Sequence, residues 1–113
     1  MPGVYTVTQM NSYIKNMFRQ DFVLSRISVK GEVSNCKYHT SGHIYFSLKD
    51  GQGVMSAIMF AGSAKSLDFR LENGMQVIVS GRIDVYERDG KYQLYANAIE
   101  ADGQGDLYNN LKR

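Results

Sequence analysis

Three groups of side chains in this 113-residue sequence have types and spacings that could do chemistry. Cys36, His39 and His43 are spaced C-x2-H-x3-H, which invites a zinc reading. A structural zinc site takes four ligands, usually as pairs separated by a longer span, and the chain has no second cysteine to complete one. Asp84, Glu87 and Asp89 form the second group. A hydrolase needs clustered carboxylates for metal ions, or a nucleophile with its base. Here Asp84 is expected on the outward face of a strand, and the other two fall in a tight turn, where Asp is favoured for its geometry. No glycine-rich phosphate loop of the P-loop kind is present. Neither catalysis nor a metal or cofactor is therefore expected from this stretch. The third group interleaves rings with cations: Tyr45, Lys49 and Phe60, with Lys37, His39, His43, Arg88 and Lys91. Single-stranded nucleic acid asks for that mixture, because each base stacks on a ring for ~1–3 kcal/mol while cations track the phosphates.

The elements that must position these groups follow from hydrophobic period. Val7, Met10, Ile14, Met17 and Phe18 recur at helical spacing, with Thr6 or Thr8 as the cap. Beyond Asp21 the period becomes two. Ile27, Val29, Gly31 and Val33 alternate with polar neighbours and predict a first strand, broken by the polar stretch from Asn35 to Gly42. Ile44, Phe46 and Leu48 predict a second strand. Asp50-Gly51-Gln52-Gly53 predicts a turn into a third, Val54–Phe60, paired antiparallel with the second. Ala61, Ala64, Leu67 and Leu71 suit a short helical insert over residues 61–73. A fourth strand, Met75–Tyr86, and a fifth, Tyr92–Ile99, flank the hairpin signal Asp89-Gly90. Residues 107–113 resemble the opening of another helix.

Five alternating strands with a helical insert between the third and fourth follow the order of an OB-fold, an all-β, five-stranded Greek-key barrel. An open meander packed by helices is the alternative. Gly31 and Gly81 fall on the inward register, where a residue without Cβ lets a long strand bend sharply. With Ile44, Phe46 and Leu48 pointing in, His43, Tyr45, Ser47 and Lys49 point out. Turning Met55, Ala57 and Met59 inward puts Ile58 and Phe60 outside beside Tyr45. The plain structural alternative has Phe60 plugging the barrel end. The stretch Asn35–Ser41 carries Lys37 and His39, the stretch Glu87–Lys91 carries Arg88 and Lys91, and together they would wall a groove.

Composition agrees with a single domain over residues 1–113: a helical segment over 1–21, a barrel over 22–101 and the start of a connector over 102–113. Hydrophobic residues make up 43% and charged residues 21%, an ordinary globular balance that indicates neither disorder nor a membrane protein, and at this length rules out a large multi-part enzyme. The net charge of +2 is compatible with a polyanion but too mild to argue for one. No secretory signal is read at the N-terminus, and a lone cysteine fits a reducing compartment. The same face offers a rival to nucleic acid: Phe60, Ile58 and Tyr45 as an apolar patch for protein docking or dimerisation.

The string VKGEVSNCKYHTSGHIYFSLKD (Val29–Asp50) resembles the N-terminal domain of exodeoxyribonuclease VII large subunits, a bacterial family. The likeness continues through Met59-Phe60, GMQVIVSGRIDVYERDGKYQL (Gly74–Leu94) and GQGDLYNNLKR (Gly103–Arg113), and Thr8-Gln9-Met10-Asn11 fits the family's opening. The resemblance implies an OB-fold holding single-stranded DNA ahead of a nuclease domain. It further implies a long helical region that recruits many copies of a small subunit, and a cytoplasmic enzyme that degrades single-stranded DNA from both ends to short oligonucleotides. By position it puts the DNA-facing surface at Tyr45, Lys49 and Phe60, with Lys37, His39 and Arg88. Family members often carry an arginine after the Met-Phe pair. This chain has Ala61, so a cation there must come from Lys65 or Arg70 if at all.

Overall fold

Thr6, not Thr8, sets the start of the first helix. Its hydroxyl accepts from the Gln9 amide at 3.0 Å while the Gln9 side-chain oxygen accepts from the Thr6 amide at 2.9 Å, a reciprocal capping box. The computed structural model describes residues 2–102. Helix α1 spans Val7–Gln20, and a second short helix, α2 (Phe22–Ser25), begins where the Asp21 carboxylate accepts from the Leu24 amide. Four residues are too few to show a period, so α2 leaves no trace in the hydrophobic pattern. The predicted helical opening over 107–113 lies outside the described residues.

Five strands follow: β1 (Ile27–Tyr38), β2 (Ile44–Lys49), β3 (Val54–Met59), β4 (Gln76–Tyr86) and β5 (Lys91–Ala101), with α3 (Ala61–Ala64) between β3 and β4. They close into a barrel in the order β1-β2-β3-β5-β4. Every pairing is antiparallel except β3 with β5, which runs parallel through Ala57–Leu94, Ile58–Tyr95 and Met59–Ala96. The five-stranded barrel with an N-terminal helix and a helical insert is the predicted one. Its interior holds the residues that alternation turned inward, among them Phe46, Leu48, Ala57, Met59, Val77 and Leu94. Leu71 from the insert is also buried there, with Ala64 and Leu67 packed against it. Asp50 closes the β2–β3 turn by accepting from the Gln52 and Gly53 amides at 2.9 and 2.8 Å, which holds its carboxyl below the usual range. At Gly81 a Cβ would overlap the Tyr95 carbonyl oxygen, so only glycine lets β4 and β5 meet at the irregularity between Ser80 and Gly81.

The first strand is longer than the alternation predicts. It runs on to Tyr38 through an irregularity between Ser34 and Lys37. Asn35 there takes a φ of 51°, a left-handed conformation that asparagine tolerates better than most. The Cys36 amide, left out of the ladder, donates to the Asn73 side chain at 2.9 Å. One extra residue destroys the period of two, which is why the stretch reads as loop. Lys37 and Tyr38 therefore stand on a strand.

Helix α1 docks by its polar side. The Asn11 amide donates to the Glu87 carbonyl at 3.0 Å and the Lys15 ammonium to the Val85 carbonyl at 2.7 Å. Lys15 and Arg19 flank the Asp84 carboxylate at 3.3 and 3.6 Å, and Phe18 packs against the core. Val7, Tyr13 and Met17 stay exposed, and Met10 and Ile14 are covered little better. Among the described residues no helix is long and apolar enough to cross a membrane.

Candidate nucleic-acid interface

The outer face of β2 and β3 has the predicted register. Ile44, Phe46, Leu48, Ala57 and Met59 are buried inside, and Met55 packs at the margin. Tyr45 stands outside, 42% exposed, directly opposite Ile58. Ile58 also faces outward, yet it is only 6% exposed, so the expected apolar patch is smaller than predicted. It lies outside the core cluster, and its neighbours in register are Tyr45 on β2 and Tyr95 on β5. Cross-strand neighbours of that size shield an isoleucine set between them.

From Tyr45 a row of rings crosses the barrel. Tyr45 lies 6.4 Å from His43, His43 is edge-on to Phe60 at 5.1 Å, and Phe60 stacks on Tyr95 at 6.0 Å with 26° between planes. The Arg82 guanidinium sits 4.6 Å from the centre of the Tyr95 ring, a cation–π contact, and Gln93 donates to the Tyr95 hydroxyl at 2.8 Å. At the other end His39 is edge-on to Tyr45 at 6.1 Å. Phe60 is 45% exposed, so it does not plug the barrel. Its backbone instead caps α3, and the following amide, that of Ala61, donates to His43 Nδ1 at 2.9 Å. Nδ1 accepts only when unprotonated, so His43 carries its proton on Nε2 here and holds the start of α3 beside Phe60. The loop before β2 is tied internally: His39 Nδ1 accepts from the Ser41 amide at 3.1 Å and lies 2.8 Å from its hydroxyl.

Tyr95 and Arg82 were not among the predicted site residues. Alternation along β5 puts Tyr95 outside, but its approach to Phe60 comes from the parallel β3–β5 pairing, to which no local pattern points. The cations divide. Lys37 stands directly across from Tyr45 on β1, as a groove wall requires. Lys49 is on the same face as Tyr45 but pairs with Glu32 at 3.9 Å. Arg88 lies in the β4–β5 turn and Lys91 opposite Tyr86, four residues or ~13 Å along β5 from Tyr95. Neither touches a ring or an acid among the described residues. Arg70 lies over the Tyr38 ring at 4.2 Å, beside the insert rather than in the ring row. There the Tyr38 hydroxyl donates to the Leu71 carbonyl and accepts from the Leu71 amide.

The other two groups resolve differently. Cys36 donates to the Leu71 carbonyl, and burial pushes its thiol up, while His39 and His43 hold Ser41 and Ala61. Among the described residues no cluster of His, Cys, Asp or Glu could hold a metal. Asp84 does face outward from the barrel, but it is buried under α1. Burial alone pushes its carboxyl up. The Val85 amide at 2.8 Å, the Lys15 ammonium and the Arg19 guanidinium outweigh that and hold it below the ordinary carboxylate value. Glu87 and Asp89 remain in the turn, and neither forms an ion pair among the described residues.

A closed five-stranded barrel with rings and cations across β2, β3 and β5 has a counterpart among known families. Residues 5–100 match the model of an OB-fold nucleic acid binding domain. The chain belongs to that family. This OB-fold domain is 64% identical over 112 residues to the exodeoxyribonuclease 7 large subunit of Lachnoclostridium phytofermentans, a match over 99% of the chain and 28% of that protein. The chain thus spans a little over a quarter of the curated relative. Solved structures sharing its fold include the Stn1–Ten1 complex of S. pombe, with 20% identity, a TM-score of 0.58 and coverage of 78% of this chain and 67% of that one. A replication protein A heterotrimer bound to single-stranded DNA has 16% identity and a TM-score of 0.57, covering 79% and 68%.

Proposed function

We propose that this OB-fold domain grips single-stranded DNA, with little sequence preference, on the outer face of β2, β3 and β5. What carries the reading is the unbroken ring row Tyr45–His43–Phe60–Tyr95, which ends under the Arg82 guanidinium. Tyr45, Phe60 and Tyr95 stack bases. His39 and His43 shape the face, and Lys37, Lys49, Arg82, Arg88 and Lys91 draw in phosphates. A stack of π-faces accepts any base, so affinity without sequence readout is the expected outcome. The solved relative bound to single-stranded DNA supports the ligand class by analogy of fold.

The likeness to exodeoxyribonuclease 7 large subunits supports a larger role. In it, residues 1–113 form one DNA-holding domain, with 102–113 as the start of a connector. The whole enzyme is then a cytoplasmic nuclease that shortens single strands from both ends and assembles with many small subunits through a region beyond this chain. The chain alone holds DNA without cutting it.

Titration of labelled oligothymidylate at two salt concentrations tests the reading. Binding at low salt that weakens as salt rises is expected, because each phosphate contact releases counterions. Phe60→Ala weakens it by ~1–3 kcal/mol, the worth of one stacked base. Absence of binding at low salt, or a salt-independent affinity, overturns the proposal. A dimer that hides Phe60 and ignores DNA would make the face a protein-docking surface instead.

A further inference from the structure

We infer that the bound strand does not end at Tyr95 but continues past Arg82 into a cleft of about 550 Å³ between the end of α2, the start of β1, and β4 and β5. This rests on the DNA-binding reading above and extends its path off the β2–β3 face. Phe60 and Tyr95, the last two rings of the row, form one wall of the cleft. Arg26, Arg82, Ser28, Ser80 and Asn97 supply its polar lining.

Its electrostatics set this cleft apart. No carboxylate lines it, whereas three other clefts each include one, Glu87 in the first and Asp68 in the other two. The ion pairs among the described residues are Lys15 and Arg19 with Asp84, and Lys49 with Glu32. Arg26 and Arg82 share one opening, and neither is paired with an acid among the described residues. Arg82 is held in place by the Tyr95 ring, and Ser28 and Ser80 share a hydrogen bond of 2.8 Å at the cleft's surface. Two guanidiniums with no internal anion, beside hydroxyls and an amide, suit a phosphodiester and its sugar. A ring stack leading straight to that opening delivers the next nucleotide to it. The ligand of the cleft is thus a backbone segment of the same single strand, flanking the stacked bases.

Strand length separates the cleft from the face. Oligothymidylates of about 4 and about 12 nucleotides lie at the short end and well inside the ~4–16-nucleotide range of single OB-fold site sizes. Arg26→Gln is expected to weaken the longer strand several-fold and lower its log–log salt slope by about 0.7, the value of one single-strand phosphate contact. It leaves the shorter strand unaffected, since Arg26 lies off the ring row. Ser28→Glu, which puts an anion in the cleft at an exposed position, has the same length-selective effect. If both variants bind the longer strand as tightly as the parent and with the same slope, the strand does not enter the cleft, while the DNA reading stands. Equal weakening of both lengths also overturns the inference. Failure of the parent to bind either length overturns the DNA reading itself.

Discussion

Two outer faces of one barrel carry cations beside aromatic or apolar groups, and they use them oppositely. Under α1, Lys15 and Arg19 converge on the buried Asp84 carboxylate, and the Lys15 ammonium also donates to a backbone carbonyl. Those charges are spent on holding a helix to β4. On the face of β2, β3 and β5, Arg82 lies on a ring and Lys37 stands across from another, and neither is in an ion pair among the described residues. Charge count does not separate the faces; the presence of one buried carboxylate does. The difference also explains why α1 shows its apolar side to solvent: its polar side answers a charge that could not otherwise be buried.

The comparison breaks most visibly at Asp84. Asp84→Asn leaves Lys15 and Arg19 without their counter-charge and is expected to destabilise the fold by about 3 kcal/mol in urea denaturation. Undiminished stability would mean that packing and the Asn11 and Lys15 hydrogen bonds hold α1 without the ion pairs. The same cluster sets an acid limit. Because the folded Asp84 carboxyl is held below its ordinary value, its contribution is complete above about pH 4 and fades as pH falls through the lower folded value. A thermal-melt series over acidic pH should show that loss in the parent and a smaller one in Asp84→Asn.

A smaller effect is expected at the seam between the faces. Gly81→Ala forces a methyl against the Tyr95 carbonyl and should cost ~1–3 kcal/mol of stability, while also displacing the Tyr95 ring and weakening DNA binding. Tyr95→Ala should leave the fold close to intact and remove ~1–3 kcal/mol of binding, read by anisotropy titration with oligothymidylate. The smallest and sharpest contrast is between two cations. Arg82→Gln is expected to lower the salt slope of DNA binding by about 0.7, whereas Lys15→Gln lowers stability and leaves the slope as it is. Equal slopes for the two variants would erase the distinction between the faces.

Much of the fold was legible because burial in a small barrel imposes a period of two. Ile44, Phe46 and Leu48 could point only one way once their polar neighbours had to stay wet, and Tyr45 followed. Asn35 and Cys36 were misread because one residue in a left-handed turn resets the alternation without leaving the sheet. Ile58 was given the right face and the wrong exposure, since shielding by Tyr45 and Tyr95 depends on neighbours from two other strands. Arg88 and Lys91 were placed with the groove by loop position, and Arg88 also by the family resemblance. The β4–β5 hairpin that carries them is anchored on α1 by Asn11 and Lys15, a contact no local period shows.

By itself the sequence determined the five strands, the face of the residues in their regularly alternating parts and the turn chemistry at Asp50, because these follow from spacings of a few residues. Which rings meet, which cations stay unpaired and which carboxylate disappears under a helix were decided by barrel closure and by the docking of α1. Those contacts join residues up to 76 positions apart, and a local period holds no information across that distance.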